Sequence, residues 1–279
     1  MRDARWMMTA ALSILVLAGC GGRDRSSTIT IKGSDTMVIL GQRWAESYMA
    51  GHEGAVVQVT GGGSGTGIAA LINGTTDICQ SSRPIKDKEI EQIREKFGEA
   101  PHEVVVARDG LSVYLHETNP LKELAIEQVR GVYTGEITNW KQLGGPDRPI
   151  TVYGRENNSG TYEYFKEHVL EGADFAAQVQ TLPGTAAVVN AVAQDPNGIG
   201  YGGAAYAKGV FDCAIKATAD APAVLPTEAT VRDGSYPISR GLYYYTRQTP
   251  EGAMKDFIDY ALSPEGQQVV TQVGYFPVH

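Results

Sequence analysis

Four short stretches place hydroxyl side chains, glycine and arginine at the same point of a repeating local pattern. Gly33-Ser34-Asp35-Thr36, the loop from Gly61 through Ser64 and Thr66 to Gly67, Ser81-Ser82-Arg83-Pro84, and Gly154-Arg155-Glu156-Asn157-Asn158-Ser159-Gly160-Thr161 each follow a β-rich run and open a helical pattern. The chemistry on offer is anion capture. A helix's first turn leaves backbone N–H groups unpaired and carries about +0.5 of an elementary charge. Hydroxyls add donors there, and glycine lets the backbone approach an anion closely. Arg83 and Arg155 add a permanent, forked charge. Any one stretch alone reads as a helix cap, with Ser34 or Asp35 as the capping side chain in the first; four in one chain read as the walls of one site.

Other chemistries fit these residues less well. In the loop 61–67 the third glycine of GxGxxG is missing in every register, and Ile68 stands where a P-loop has lysine. GxSxG fails at Thr66. A phosphatase or serine hydrolase built on Ser64 or Ser159 lacks a histidine base within the motifs. The five histidines are scattered without metal-ligand spacing, and nothing calls for a cofactor.

The elements that must position these turns alternate short β-rich runs with amphipathic helices, the pattern of a largely parallel α/β architecture. Strands are expected at 28–32, 55–59, 77–80, 104–107, 111–115, 150–153, 199–202, 214–218 and 241–245. Helices are expected from Met37 to Gly51, at 68–72, from Pro84 onward, at 121–132, 162–170, 173–179 and 186–193, and as a closing pair around Phe257 and Val270. Trp140 reads as a buried anchor of the polar turn 135–140. The runs 111–115 and 241–245 are the expected crossings between two lobes. Cys79 and Cys213 sit in apolar, strand-like contexts, compatible with one disulfide or with two buried thiols.

Residues 1–19 read as a secretory leader, with Arg2 and Arg5 ahead of an apolar run too short to span a bilayer. Leu17-Ala18-Gly19-Cys20 resembles a bacterial lipobox, which implies cleavage before Cys20 and a lipid on its sulfur; residues 20–27 then form a tether. With 24 Lys+Arg against 32 Asp+Glu in 279 residues, the net charge is −8. Such a chain is not built to coat nucleic acid or an anionic membrane, and any anion site must work through local donors.

Taken together, the four turns, Gly135-Glu136-Ile137-Thr138-Asn139-Trp140 and Gly198-Ile199-Gly200-Tyr201 resemble the periplasmic phosphate-binding proteins of Pst-type ABC transporters across residues 28–279. The resemblance implies a two-lobed type II periplasmic-binding-protein fold with two crossing strands: lobe I at 28–114 plus 237–279, lobe II at 115–236. It implies inorganic phosphate as ligand, ABC transporter permease subunits as partners, and a site on the cell envelope through the N-terminal lipid, without enzymatic activity. Its donors fall on Thr36, the N–H of Met37, Ser64, Ser159, Gly160 and Thr161, and its arginine on Arg155. Ser34, Asp35, Ser82 and Arg83 join them from the same turns. Ser82 departs from the best-known members, which place an aspartate there to accept the phosphate's proton. Asp35 is then the candidate acceptor, with capping of the helix at Thr36 as its other role. A phosphate sensor or surface adhesin on the same fold is the alternative function.

Overall fold

The computed structural model describes residues 28–279. The leader, the lipobox with Cys20 and the tether lie outside the described residues. The chain begins with β1 (Thr28–Gly33), α1 (Val38–Gly51), β2 (Val56–Thr60), α2 (Ser64–Asn73), β3 (Ile78–Ser81), α3 (Asp87–Phe97) and the long β4 (His102–Leu115). It continues through β5 (Glu123–Ala125), α4 (Ile126–Thr134), β6 (Thr151–Arg155), α5 (Gly160–His168), β7 (Gln180–Leu182), α6 (Gly184–Gln194), β8 (Gly198–Gly203), β9 (Phe211–Lys216) and α7 (Glu228–Arg232). It ends with β10 (Ser239–Thr246), α8 (Gly252–Leu262) and α9 (Pro264–Val273).

The strands make two lobes that share β4. In lobe I the order is β2-β1-β3-β10-β4, with β1 parallel to β2 and β3, and β10 antiparallel to β3 and β4. In lobe II, β6 runs parallel to β7 and β8, while β8 and β9 flank the second half of β4 antiparallel and β5 closes the edge against β9. Each sheet is covered on both faces, as parallel sheets require. Ile29, Ile31, Trp44, Phe257 and Val270 fill one face of lobe I, and Ile68, Leu71 and Ile93 the other. Along β4 in lobe II, Val113 joins Val132, Phe165 and Tyr201 on one face, while Tyr114 points to Val188 and Val192 on α6. That alternation is the period-2 signature of a strand buried on both sides.

Partner exchange along β4 marks the crossing. Residues 102–110 pair with β10, residues 111–115 pair with β8, and Leu111 N–H donates to Ile238 O at 2.9 Å. The chain therefore passes between lobes at Gly110/Leu111 and at Ile238/Ser239, a few residues from the expected runs. Residues 111–115 lie in lobe II, and 241–245 lie in lobe I, paired with β3 and β4. The two expected strands 104–107 and 111–115 are one continuous β4, because its two halves serve different sheets.

Other expectations are corrected by tertiary context. The helix expected at 121–132 gives its first residues to β5, whose Leu124 pairs with Ile215. No helix forms at 173–179: Glu171 and Gly172 take left-handed backbone, and Phe175 stacks on Tyr162 and Phe165. Pro84 lies ahead of α3 and not in its first turn, since Lys86 is the capping position. Cys79 and Cys213 are buried free thiols, on β3 of lobe I and β9 of lobe II, so the disulfide alternative falls.

Lobe II also holds a half-buried carboxylate beside the crossing, with Oδ1 sealed from solvent. Asp212 on β9 accepts the Ser112 hydroxyl at 3.0 Å; burial pushes it up to about 6, with the Ser112 bond opposing and Asp109 adding. Because the folded value exceeds the ordinary 3.8, the native state holds an extra proton between those values, and stability contributed here rises as pH falls through that window. Asp212→Asn is expected to raise the melting temperature at pH 7.5, a relief of at most about 3 kcal/mol, and to lose that advantage toward pH 4. A variant-minus-parent difference that stays flat with pH contradicts it.

Candidate anion-binding cleft

The lobe I wall is built where β1, β2 and β3 end. Ser34 follows β1, Ser64 opens α2, and Ser82 follows β3; all three are buried. Their hydroxyls form a cluster, with Ser34 Oγ donating to Ser82 Oγ at 2.9 Å and Ser64 Oγ 3.4 Å from Ser82 Oγ. Ser82 N–H donates to Ser64 Oγ at 3.1 Å. Thr36 is buried beside them in the single 3-10 turn Asp35–Met37 that leads into α1.

Across the cleft, β6 ends at Arg155 and α5 begins at Gly160. Ser159 caps α5, accepting the N–H groups of Thr161 and Tyr162 at 3.2 and 3.3 Å. The Thr161 hydroxyl lies 2.9 Å from that of Thr36, so the two walls touch. Gly63, at φ 87°, has no room for a side chain: a Cβ there meets Asn158 O at 2.5 Å. Through that approach Gly65 N–H donates to Asn158 O at 2.9 Å and Asn158 Nδ2 to Gly62 O at 3.1 Å. This is the closed form of a two-lobed cleft.

Arg155 is the charged centre of this surface. It is 1% exposed, with Nη1 on Thr185 Oγ1 and Nη2 on Asp35 Oδ2, both at 2.8 Å, and Nε without a partner among the described residues. Burial pushes its guanidinium down from the ordinary arginine value while Asp35 pulls it back up; an arginine stays charged throughout. A buried donor left unpaired costs free energy, a cost that any acceptor placed against Nε would remove.

Three expected residues take other partners. Asp35 is not a cap: the turn it opens has no side-chain cap, and its carboxylate is held by Arg155 and by Gly62 N–H at 2.8 Å. Met37 packs in the lobe I core and donates its N–H to Ser34 O at 3.1 Å. Arg83 directs its guanidinium at Glu89 and Glu163 rather than at the hydroxyl cluster.

Sequence reasoning missed the pair that braces the site at the crossing. Arg240 Nε and Nη2 hold Asp109 Oδ2 at 2.9 and 2.7 Å, and Arg240 Nη1 donates to Ser82 O at 3.1 Å. Asp109 Oδ1 accepts Ala204 N–H at 3.1 Å, opening the turn from which Tyr206 donates to Asp35 O at 2.8 Å. Burial pushes the Asp109 carboxyl up, and Arg240 opposes it. The available signal was Asp109 between two β-rich runs and Arg240 at the head of another, where a charge needs a partner.

Two α/β lobes joined by two chain crossings, closed over buried donors, define a solute-binding protein, and the chain matches the PBP superfamily domain over residues 20–265. Among known proteins it is similar to the phosphate-binding protein PstS of Pseudomonas aeruginosa, at 35% identity over 91% of this chain and 84% of that one. PstS of Bacillus subtilis is 31% identical, covering 98% and 93%. A phosphate ABC transporter substrate-binding protein from Clostridium perfringens, solved with bound phosphate, superposes with a TM-score of 0.82 at 30% identity, covering 91% of this chain and all of that one. This chain belongs to the PstS family of phosphate-binding proteins.

Proposed function

We propose that this protein captures inorganic phosphate between its lobes and delivers it to the permease subunits of an ABC importer, held at the cell envelope by a lipid on Cys20. The observation that carries the reading is the closed, buried surface on which Ser34, Thr36, Ser64, Ser82 and Thr161 meet beside Arg155 and the first turns of α2 and α5. Phosphate in such a place exchanges water for charge-assisted bonds from donors that are already oriented. The names of the PstS relatives and the bound phosphate of the Clostridium protein support the same ligand. In this reading the protein binds without catalysis: among the described residues the cleft hydroxyls bond to one another rather than to a histidine or other base that would activate one. No helix among the described residues is long and apolar enough to cross a membrane; the proposed anchor is the lipid.

Calorimetric titration tests the ligand and its selectivity together. Phosphate and arsenate are expected to bind. Sulfate is expected within about 100-fold of phosphate, because the Ser82 hydroxyl can donate to either anion, whereas an obligatory acceptor of the phosphate proton rejects sulfate by ~10⁴ or more. Absence of phosphate binding overturns the function. Phosphate binding with ~10⁴-fold rejection of sulfate keeps the function and overturns the account of selectivity based on Ser82.

A further inference from the structure

An open groove of about 880 Å³ runs along one rim of the closed cleft, lined by Arg83, Pro84 and Lys86 from lobe I and by Glu163, Tyr164 and His168 from α5. An ion-pair cluster bridges it. Arg83 is almost fully buried and makes a two-armed bond within lobe I, Nη1 to Glu89 Oε2 at 2.9 Å and Nη2 to Glu89 Oε1 at 2.7 Å. Its remaining edge faces lobe II: Nε lies 2.6 Å from Glu163 Oε2, a charge-to-charge contact that is not aligned as a hydrogen bond. Lys86 Nζ lies 2.8 Å from the same oxygen. That oxygen is sealed from solvent, although the Glu163 side chain as a whole is 26% exposed.

This arrangement is asymmetric in a way that matters for opening and closing. Arg83 keeps its carboxylate fork with Glu89 when the lobes part, since both belong to lobe I, so the cation is pre-positioned. Glu163 rides on the first turn of α5, two residues after Thr161, whose hydroxyl meets Thr36 across the cleft. The same movement that brings Thr161 to the anion surface therefore drives Glu163 between two lobe I cations. We infer that Glu163 is an affinity-setting latch: it touches no anion, and by pairing with Arg83 and Lys86 across the cleft it sets how much of the protein is in the closed form that binds. A ligand's apparent dissociation constant is its intrinsic value divided by the fraction of binding-competent protein. The latch acts through that fraction, and so it weakens or strengthens every anion the cleft accepts by the same factor.

The inference rests on phosphate as the ligand, and the test separates the two. Glu163→Gln keeps size and polarity at a side chain about one-quarter exposed and removes the charge. It is expected to raise the phosphate dissociation constant roughly tenfold, a step of about 1.4 kcal/mol, with faster release in stopped flow. The phosphate-to-sulfate ratio is expected to stay as in the parent, and ligand-free protein is expected to melt no more than a few degrees lower, since the closed form that the latch holds is part of the native state. Lys86→Gln is expected to cost less than Glu163→Gln and to cost nothing further in the double variant, because both act through one pair. Parent-like affinity in Glu163→Gln, a changed anion ratio, or additive single effects overturns the latch. If the parent itself fails to bind phosphate, the proposed function falls and small-angle scattering judges the latch alone: ligand-free Glu163→Gln is expected to be more open than the parent, and identical profiles overturn it.

Discussion

Arg155→Ala is expected to raise the phosphate dissociation constant by roughly 100-fold. Two losses combine. A charge-assisted hydrogen bond in a dry site is worth about 1.5–3 kcal/mol, or roughly 10- to 150-fold in affinity. The second loss comes from Asp35, whose carboxylate sits 2.8 Å from the guanidinium and is only one-fifth exposed. Without Arg155 it faces the anion as an uncompensated negative charge, and a repulsive group in the cleft works against closure itself. Arg155→Lys is expected to recover only part of the affinity, because one ammonium cannot hold Asp35 and Thr185 while also meeting the ligand as the planar fork does. Titration of both variants checks this, with the melting temperature of ligand-free protein as the control for folding. Parent-like binding by Arg155→Ala removes Arg155 from the site.

The division between what sequence shows and what it hides follows the range of the interactions. The four strand-turn-helix units were legible because a cap, a glycine turn and a helical period are properties of ten or so consecutive residues. Ser34, Ser64, Ser82 and Thr161 are brought to one surface as their local patterns suggested. The pairing of charges was not legible. Asp35 meets Arg155 at a separation of 120 positions, and Asp109 meets Arg240 at 131; no local pattern distinguishes a carboxylate that will face a ligand from one that will hold the ligand's arginine. Arg83 shows the same ambiguity from the other side. It stands beside hydroxyls in sequence, yet its side chain turns away to Glu89 and Glu163. Where helical composition failed, as at Leu124, pairing with a distant strand outweighed propensity of a few tenths of a kcal/mol per residue.

Gly160→Ala is expected to uncouple folding from binding more cleanly than any change at a charged residue. Gly160 opens α5 with an ordinary negative φ, so alanine is compatible with the backbone and favours the helix by up to about 1 kcal/mol. The ligand-free protein should therefore melt at or slightly above the parent's temperature. Its closed form has no space for the methyl group: a Cβ at this position lies 2.3 Å from Ser64 Oγ, 2.8 Å from Ser64 Cβ and 2.9 Å from Ser82 Oγ, all on the opposite wall. Rotation of the Ser64 hydroxyl relieves the first contact but not the second, because Cβ is fixed by the backbone of α2. The lobes must instead stop short by about an ångström, which parts Thr161 from Thr36 and lets water into the hydroxyl cluster. Overpacking of this kind costs about 1–3 kcal/mol, and since the cost falls on the closed state alone, it appears in binding as a loss of roughly 5- to 150-fold. Small-angle scattering is expected to show reduced compaction at saturating phosphate. If Gly160→Ala binds phosphate within twofold of the parent and compacts as fully, then the contact of α5 with Ser64 and Ser82 is not part of the bound state, and the anion sits elsewhere in the cleft.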